Sequence, residues 1–426
     1  MLLYLRQLWH SPDLRKRILF TIFLLVVYRA VSHITIPGAD PALLKKFLSN
    51  GTGPGALGIF ASLTGGSIEN FSIAMLGLSP YINASIILQL LQVIVPSLES
   101  LGKEGIQGQQ KINTYTRWLG MVLAFLQSYG FILLLSRGGA GQIVTTTFPG
   151  VLVPMLLVSV GCIFVMWIGE LITEMGIGNG ISLIIFTGIV AAMPRTMSAL
   201  IISGGDKMTA FYLFVIISLA MLFFIVLFTD AHRAIPITYA NQGAGRGVKG
   251  GIPIRLNQAG MVPIIFAISL ITFPGIIAQF LQTSERFVGV TSFINTYLNS
   301  QTPSALYVLV YFLLVLAFTY FYVSVTFKPD DLAENIQKRG GFIPGVRPGR
   351  QTAEVLSRVS LRLNLWGGIF LGIVAIVPLM FTMFSTLTSQ DLIVSGSGLI
   401  IIVGVVMELI RQVNAQLLVH DYEKLV

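Results

Sequence analysis

The chain has 426 residues, of which 54% are hydrophobic and only 11% charged, less than half the share of about 25% that an ordinary soluble domain carries. A water-facing surface cannot be built from that inventory, so lipid must be the main solvent. The net charge of +9 would suit a nucleic-acid partner, but the basic residues sit between apolar runs, where membrane topology accounts for them more economically.

A bilayer core about 30 Å thick takes about 20 apolar residues in helical form, and the sequence offers that length repeatedly. In chain order the predicted spans are 18–36, 74–95, 115–136, 151–173, 180–201, 209–229, 258–282, 304–327, 364–385 and 397–415. Arg15, Lys16 and Arg17 precede the first run as basic residues precede the core of a signal peptide. The run continues for a full span with no small-residue cleavage pattern after it, so a retained helix is expected. Starting that helix in the cytoplasm places the large majority of the 27 Lys and Arg on the inner side, which predicts that both termini are cytoplasmic.

Between the first and second spans, residues 51–70 are rich in glycine and serine and include a semi-apolar piece from Leu57 to Thr64, too short to cross. A half-helix folding back into the membrane and a surface loop both fit it. Cys162, the only cysteine, lies in the apolar fourth span, which excludes an intrachain disulfide and predicts a packing role.

Ten spans divide into two sets of five, and an odd number makes the second set cross in the opposite sense, the arithmetic of an inverted repeat. Gly77, Pro80, Ile82 and Ala84 in the second span recur at equal spacing as Gly260, Pro263, Ile265 and Ala267 in the seventh. Gly178 and Gly180 opening the fifth resemble Gly396 and Gly398 opening the tenth. Two inner loops are long and basic: 230–256 with Arg233, Arg246, Lys249 and Arg255, and 328–363 with Lys328, Lys338, Arg339, Arg347, Arg350, Arg358 and Arg362. Such charges enforce orientation, but loops of this length also predict docking of something acidic or bulky.

The residues for chemistry are missing. His10, His33, His232 and His420 are scattered, with no HExxH and no GxSxG, so no catalytic residue and no metal site are expected. The run from Gly243 to Gly251 has the glycines and lysine of a phosphate-binding loop, but neither Ser nor Thr follows Lys249, and no nucleotide or other cofactor is expected. Glu170, Glu174, Asp230 and Glu408 fall near the cytoplasmic boundaries and Arg29 toward the outer third of its span. The midplane therefore lacks the ligand cluster of an ion-coupled carrier. Polar Asn83, Gln89, Gln92, Gln127 and Asn257 can line a wet path or tie helices together.

Four motifs are specific: Ile36-Pro37-Gly38 after the first span, the run from Pro80 to Gln89 in the second, Gly176 to Ser182 before the fifth, and Pro344-Gly345-Val346-Arg347-Pro348-Gly349 in the second basic loop. Together, in this order and between these spans, they closely resemble the SecY family, the channel subunits of the bacterial protein translocase, from about residue 10 to the C-terminus. The resemblance implies an all-α polytopic fold of ten transmembrane helices, arranged as two inverted five-helix halves, 1–201 and 202–426, around a central pore. That pore would pass unfolded secretory polypeptide and open sideways to release apolar segments into lipid. The piece at about 57–67 would be its plug.

By the same resemblance the pore ring is Leu78, Ile82, Ile181, Ile185, Ile265 and Ile401, with Leu78 standing where isoleucine is usual. Asn83, Gln127 and Asn257 match a polar cluster at the lateral gate, between spans two and three and spans seven and eight. Arg347 is the leading docking residue, with Arg233, Arg246, Lys249 and Arg255 behind it, for the SecA ATPase or the ribosome. The further implied partners are SecE, SecG, a signal-sequence-bearing polypeptide and membrane lipid, in the bacterial inner membrane. Positions 78 and 82, and again 181 and 185, are four apart and so share a helix face. A ring of aliphatic side chains offers water and ions no hydrogen-bonding partner and gates by dewetting.

Overall fold

The computed structural model describes residues 11–37, 71–137, 150–203, 206–239, 250–281, 287–298, 303–384 and 396–423. Its helices are α1 (Pro12–Val31), α2 (Ser79–Ile94), α3 (Pro96–Lys103), α4 (Ile106–Arg137), α5 (Leu152–Met175), α6 (Gly180–Ser203), α7 (Asp206–Asp230), α8 (Val262–Leu281), α9 (Val288–Tyr297), α10 (Ala305–Thr326), α11 (Pro329–Lys338), α12 (Arg350–Phe384) and α13 (Gly396–Glu423). Three short strands accompany them, β1 (His232–Tyr239), β2 (Gly250–Arg255) and β3 (Gly341–Phe342). Each expected span falls on one of these helices. By length and hydropathy alone, five helices among the described residues suffice to cross a bilayer, or six if a bent pair is counted as one, while α6 and α8 contribute shorter apolar stretches, Gly180–Pro194 and Val262–Thr272.

The bent pair is α2 and α3, which meet at 106°. Pro96 is the cause: a residue before proline is driven out of the helical region, and Val95 is extended at φ −102, ψ 110. The segment leading into α2 is held by backbone pairing instead of helix. Ile36 N–H donates to the Phe71 carbonyl and Ile73 N–H to the Ile34 carbonyl, each at 3.0 Å. Around that bridge Ile36, Phe71, Met75, Met155, Val158 and Cys162 form a local core, so Cys162 is a packing residue.

The expectation of a purely helical protein needs one amendment, because the two basic stretches 230–256 and 328–363 fold together. Strands β1 and β2 form an antiparallel hairpin and β3 adds to the other edge of β1, giving the order β2-β1-β3. Ile235 and Ile237 on β1 and Ile254 on β2 bury their side chains at strand spacing against Ala333 and Ile336 of α11 and Ala353 and Leu356 of α12. Helix α12 leaves this platform without a break. Its 35 residues extend for about 52 Å at about 1.5 Å per residue, far more than a bilayer core needs.

A single large core joins α1, α2, α5, α6, α7, α8, α10, α12 and α13. The turn from α5 into α6 is its tightest seam. Ile177 N–H donates to Thr21 Oγ1 of α1 at 3.1 Å and Gly180 N–H to Thr173 Oγ1 at 2.9 Å. A Cβ at Gly180 would overlap the Gly169 carbonyl. Gly180→Val therefore should cost at least about 1–3 kcal/mol through overpacking, read as a fall in thermal unfolding midpoint in detergent; a midpoint equal to the parent's would refute the close approach of α5 and α6.

Candidate pore and docking surface

The six aliphatic ring candidates come from the starts of four helices. Leu78 is the residue before α2 and Ile82 lies one turn in, its N–H donating to the Leu78 carbonyl at 3.0 Å. Ile181 and Ile185 occupy the first two turns of α6, Ile265 the first turn of α8 and Ile401 the second turn of α13. All six belong to the large core: Leu78, Ile185 and Ile401 are buried within it, and Ile82, Ile181 and Ile265 are half-buried against it.

The repeated motif of the second and seventh spans has the same backbone in both places. Gly77 and Gly260 each take a left-handed φ, +52 and +65, which glycine adopts without steric cost. Pro80 and Pro263 each stand at the second helical position, where a missing N–H is harmless. Ile82 and Ile265 each stand fourth in their helices. The second pair of motifs matches less closely, since α6 begins at the latter of its two glycines, Gly180, and α13 at the former, Gly396.

Helix α2 lies along α4 and α8 along α10, while α2 meets α8 over a much shorter stretch. Phe266, next to Ile265, stands edge-on to Phe318 and Tyr322 of α10, with ring centroids at 5.7 and 6.4 Å, so α8 and α10 are fastened as a pair. Asn83, Gln127 and Asn257 are half-buried, and no hydrogen bond joins them to one another. The Asn257 Oδ1 instead accepts from Gly260 N–H at 2.9 Å, fixing the turn that leads into α8.

Of the docking candidates, Arg347, Arg233 and Arg255 are exposed. Arg347 projects from a turn with Gly345 at φ +83 and Gly349 at φ +98, and Thr352 Oγ1 donates to its carbonyl at 3.1 Å. It forms no ion pair among the described residues. Although exposed, Arg255 has its pKa lowered by partial desolvation and by the neighbouring Arg411, while Asp230 and Glu408 oppose them, so it belongs to a group of charges around Asp230. Arg246 and Lys249 lie outside the described residues, as does the plug candidate at 57–67.

Sequence reading missed two features. The alternation Ile235-Pro236-Ile237 and Ile252-Pro253-Ile254 carries the period of a half-buried strand, and it marks the platform. The second feature is an ion pair between α4 and α5, where Arg117 Nε donates to Glu170 Oε1 at 2.6 Å with the Glu170 side chain 18% exposed. The two residues stand 53 apart in sequence, and no local spacing announces them.

The family model for SecY matches residues 72–410 of the chain. The protein translocase subunit SecY of Streptomyces coelicolor is 39% identical over 438 residues, covering 99% of each chain. That of Mycobacterium tuberculosis is 38% identical over 431 residues, covering 97% of each. A solved structure described as that of a protein conducting channel superposes with TM-score 0.67 at 17% identity, covering 94% of this chain and 91% of its own. Sec61 in the canine ribosome-channel complex from the endoplasmic reticulum gives TM-score 0.62 at 18% identity over the same shares. At these identities the structural likeness speaks for the fold.

The ion pair generates a test of the helix arrangement. Glu170→Gln leaves the partly shielded Arg117 without its counter-charge and should lower stability by about 1–3 kcal/mol, whereas the exchanged pair Arg117→Glu with Glu170→Arg should recover most of that loss. Thermal unfolding in detergent measures both, and equal loss in the single and exchanged variants would remove the pair from the account of α4 and α5.

Proposed function

The chain belongs to the SecY family of protein translocase subunits, and from that premise we propose that it conducts unfolded secretory polypeptides across the membrane and releases apolar segments sideways into lipid. It is a multi-pass membrane protein and a channel subunit, not an enzyme. The finer architecture we infer has ten spans in two inverted halves, 1–201 and 202–426, with both termini cytoplasmic in the bacterial inner membrane. The inner-side excess of Lys and Arg supports the orientation. The shared backbone at Gly77 and Gly260 supports the repeat.

One observation carries the pore assignment: Leu78, Ile82, Ile181, Ile185, Ile265 and Ile401 arise from four separate helix starts yet belong to one core. Aliphatic side chains gathered in this way seal against ions by dewetting and yield to a passing chain without selecting its sequence. The sideways exit is assigned to the seam between the α2–α4 and α8–α10 pairs, where contact is short, with Asn83, Gln127 and Asn257 as its polar residues.

The sequence lacks a complete phosphate-binding motif, so the energy for directed movement is assigned to a partner. The platform is the proposed seat of the partner that provides it, the SecA ATPase or the ribosome, with Arg347 foremost and Arg233, Arg246, Lys249 and Arg255 behind it. An always-charged guanidinium on a fixed turn suits carboxylate and phosphate alike. The small subunits SecE and SecG complete the proposed assembly, and the segment at about 57–67 is the proposed plug.

Replacing Ile82, Ile185 and Ile265 together with serine should wet the ring and raise the ion conductance of the resting channel at least tenfold in a planar bilayer; unchanged conductance would sink the ring assignment. Arg347→Glu should abolish motor- or ribosome-driven transport while membrane insertion stays normal, so secretion at the parent's rate by that variant would refute the docking role.

A further inference from the structure

Helix α12 carries one continuous polar and glycine face. Ser360, Asn364, Gly367, Gly368, Leu371 and Gly372 recur at helical spacing, and all are buried. This face meets two things. Gly368 and Gly372 lie against Thr319 and Phe312 of α10, and Gly367 lies so close to Leu256 that a Cβ there would stand 2.6 Å from the Leu256 carbonyl oxygen. Leu256 and Gln258 belong to the short link between β2 and α8. The same helix therefore touches the platform through Ala353 and Leu356 and, about three turns further on at Gly367, the segment that launches the helix bearing Ile265.

At that crossing Ser360 Oγ donates to Gln258 Oε1 at 2.9 Å, with Ser360 only 3% exposed. Gln258 Nε2 is buried and has no partner. Turning the carboxamide over changes the roles but not the count, since one of its polar atoms still faces Ser360 and the other faces nothing. A buried polar group left unmatched opposes the arrangement that buries it.

We propose that Ser360 and Gln258 form a polar catch that holds the start of α8 to α12 in the packed arrangement seen here, and that the unmatched atom of Gln258 keeps this hold weak enough to be released from the platform. Ser360 and Gln258 are positioning residues: they touch neither the ring nor the proposed docking surface, and they act through α8. Release moves the α8 start away from α12, gives Gln258 access to water for both polar atoms, and shifts Ile265 and Phe266 with it. This inference rests on the channel reading above, and deepens it by naming what sets the threshold for opening.

Two substitutions separate the catch from simple packing, because they act in opposite directions. Ser360→Ala leaves Gln258 with both polar atoms unmatched when packed, so resting ion conductance per inserted channel should rise about tenfold, equivalent to about 1.4 kcal/mol. Gln258→Met removes the unmatched atom together with the bond, keeps the side-chain length, leaves the Ser360 hydroxyl free to bond the carbonyl one turn back in its own helix, and should lower the conductance severalfold below the parent. Ser360→Thr keeps the hydroxyl and should restore the parent's value. The measurement uses the complete channel complex in planar bilayers, normalised to inserted protein. Equal conductance in all variants, or the same direction of change in Ser360→Ala and Gln258→Met, would overturn the catch. Failure of the parent complex to translocate a signal-bearing polypeptide with a motor ATPase would instead overturn the channel reading, and the two failures are read from separate assays.

Discussion

A backbone N–H or C=O facing lipid has no water to bond, so chain that is not helical at membrane depth must find its partners inside the protein. The helix starts of this protein are organised by that constraint. Before α2, residues 74–79 pair with their own near neighbours, Gly77 N–H to the Ala74 carbonyl at 2.9 Å and Ser79 N–H to the Leu76 carbonyl at 3.2 Å. Before α6, side chains serve: Thr21, Thr173 and Asn179 accept from Ile177, Gly180 and Ser182. Before α8, Asn257 accepts from Gly260 and Leu256 N–H donates to the Ala231 carbonyl. Each interruption is satisfied locally, so each can sit among apolar neighbours without a large penalty.

The proposed ring residues follow directly from those interruptions. A helix that begins inside the protein presents its first side chains inward, and near the starts of α2, α6, α8 and α13 the side chains that join the core include Leu78, Ile82, Ile181, Ile185, Ile265 and Ile401. Glycine makes the approach feasible. Gly178 takes a left-handed φ of +84, and at Gly180 a side chain would collide with the Gly169 carbonyl, so the link from α5 to α6 needs glycine once for its backbone angle and once for space. The same arithmetic applies where Gly367 lets α12 lie on Leu256. Separate elements are thereby brought within a hydrogen bond of one another without any charged residue at the point of convergence.

Much of this was legible in the sequence, for physical reasons that can be named. Apolar runs of bilayer length locate helices because lipid tolerates little else, and the ten predicted segments each coincide with one. The glycine–proline match of the second and seventh spans was legible because both residues constrain backbone directly, and it reappears as two left-handed glycines and two prolines at equal helical positions. The platform was not read, although Ile235, Ile237, Ile252 and Ile254 alternate as strand residues do, because prolines 236 and 253 stand within the pattern and proline is uncommon in paired strands. The register explains the tolerance: Pro236 opposes Gly251 and Pro253 opposes Ala234 in a sheet of three short strands. Pairs such as Arg117 with Glu170 and Ser360 with Gln258 stayed out of reach because they depend on how distant helices cross, which no local period encodes.

Function of this kind requires two opposed properties in one molecule, and the structure divides them by chemistry. A ring of the proposed kind must be indifferent to what passes, and aliphatic side chains are indifferent because they offer no hydrogen bond to select by. The threshold for opening must be definite, and definiteness needs directional contacts whose loss has a cost. Those contacts lie away from the ring, in the link before α8 and along the polar face of α12. Apolar packing alone would join the same elements, but with a hold that slides rather than releases. A single hydroxyl–carboxamide bond with one unmatched atom gives a hold that is specific in geometry and small in energy. A hold of that size, and no stronger one, would leave the proposed docking at the platform able to decide the state of the pore.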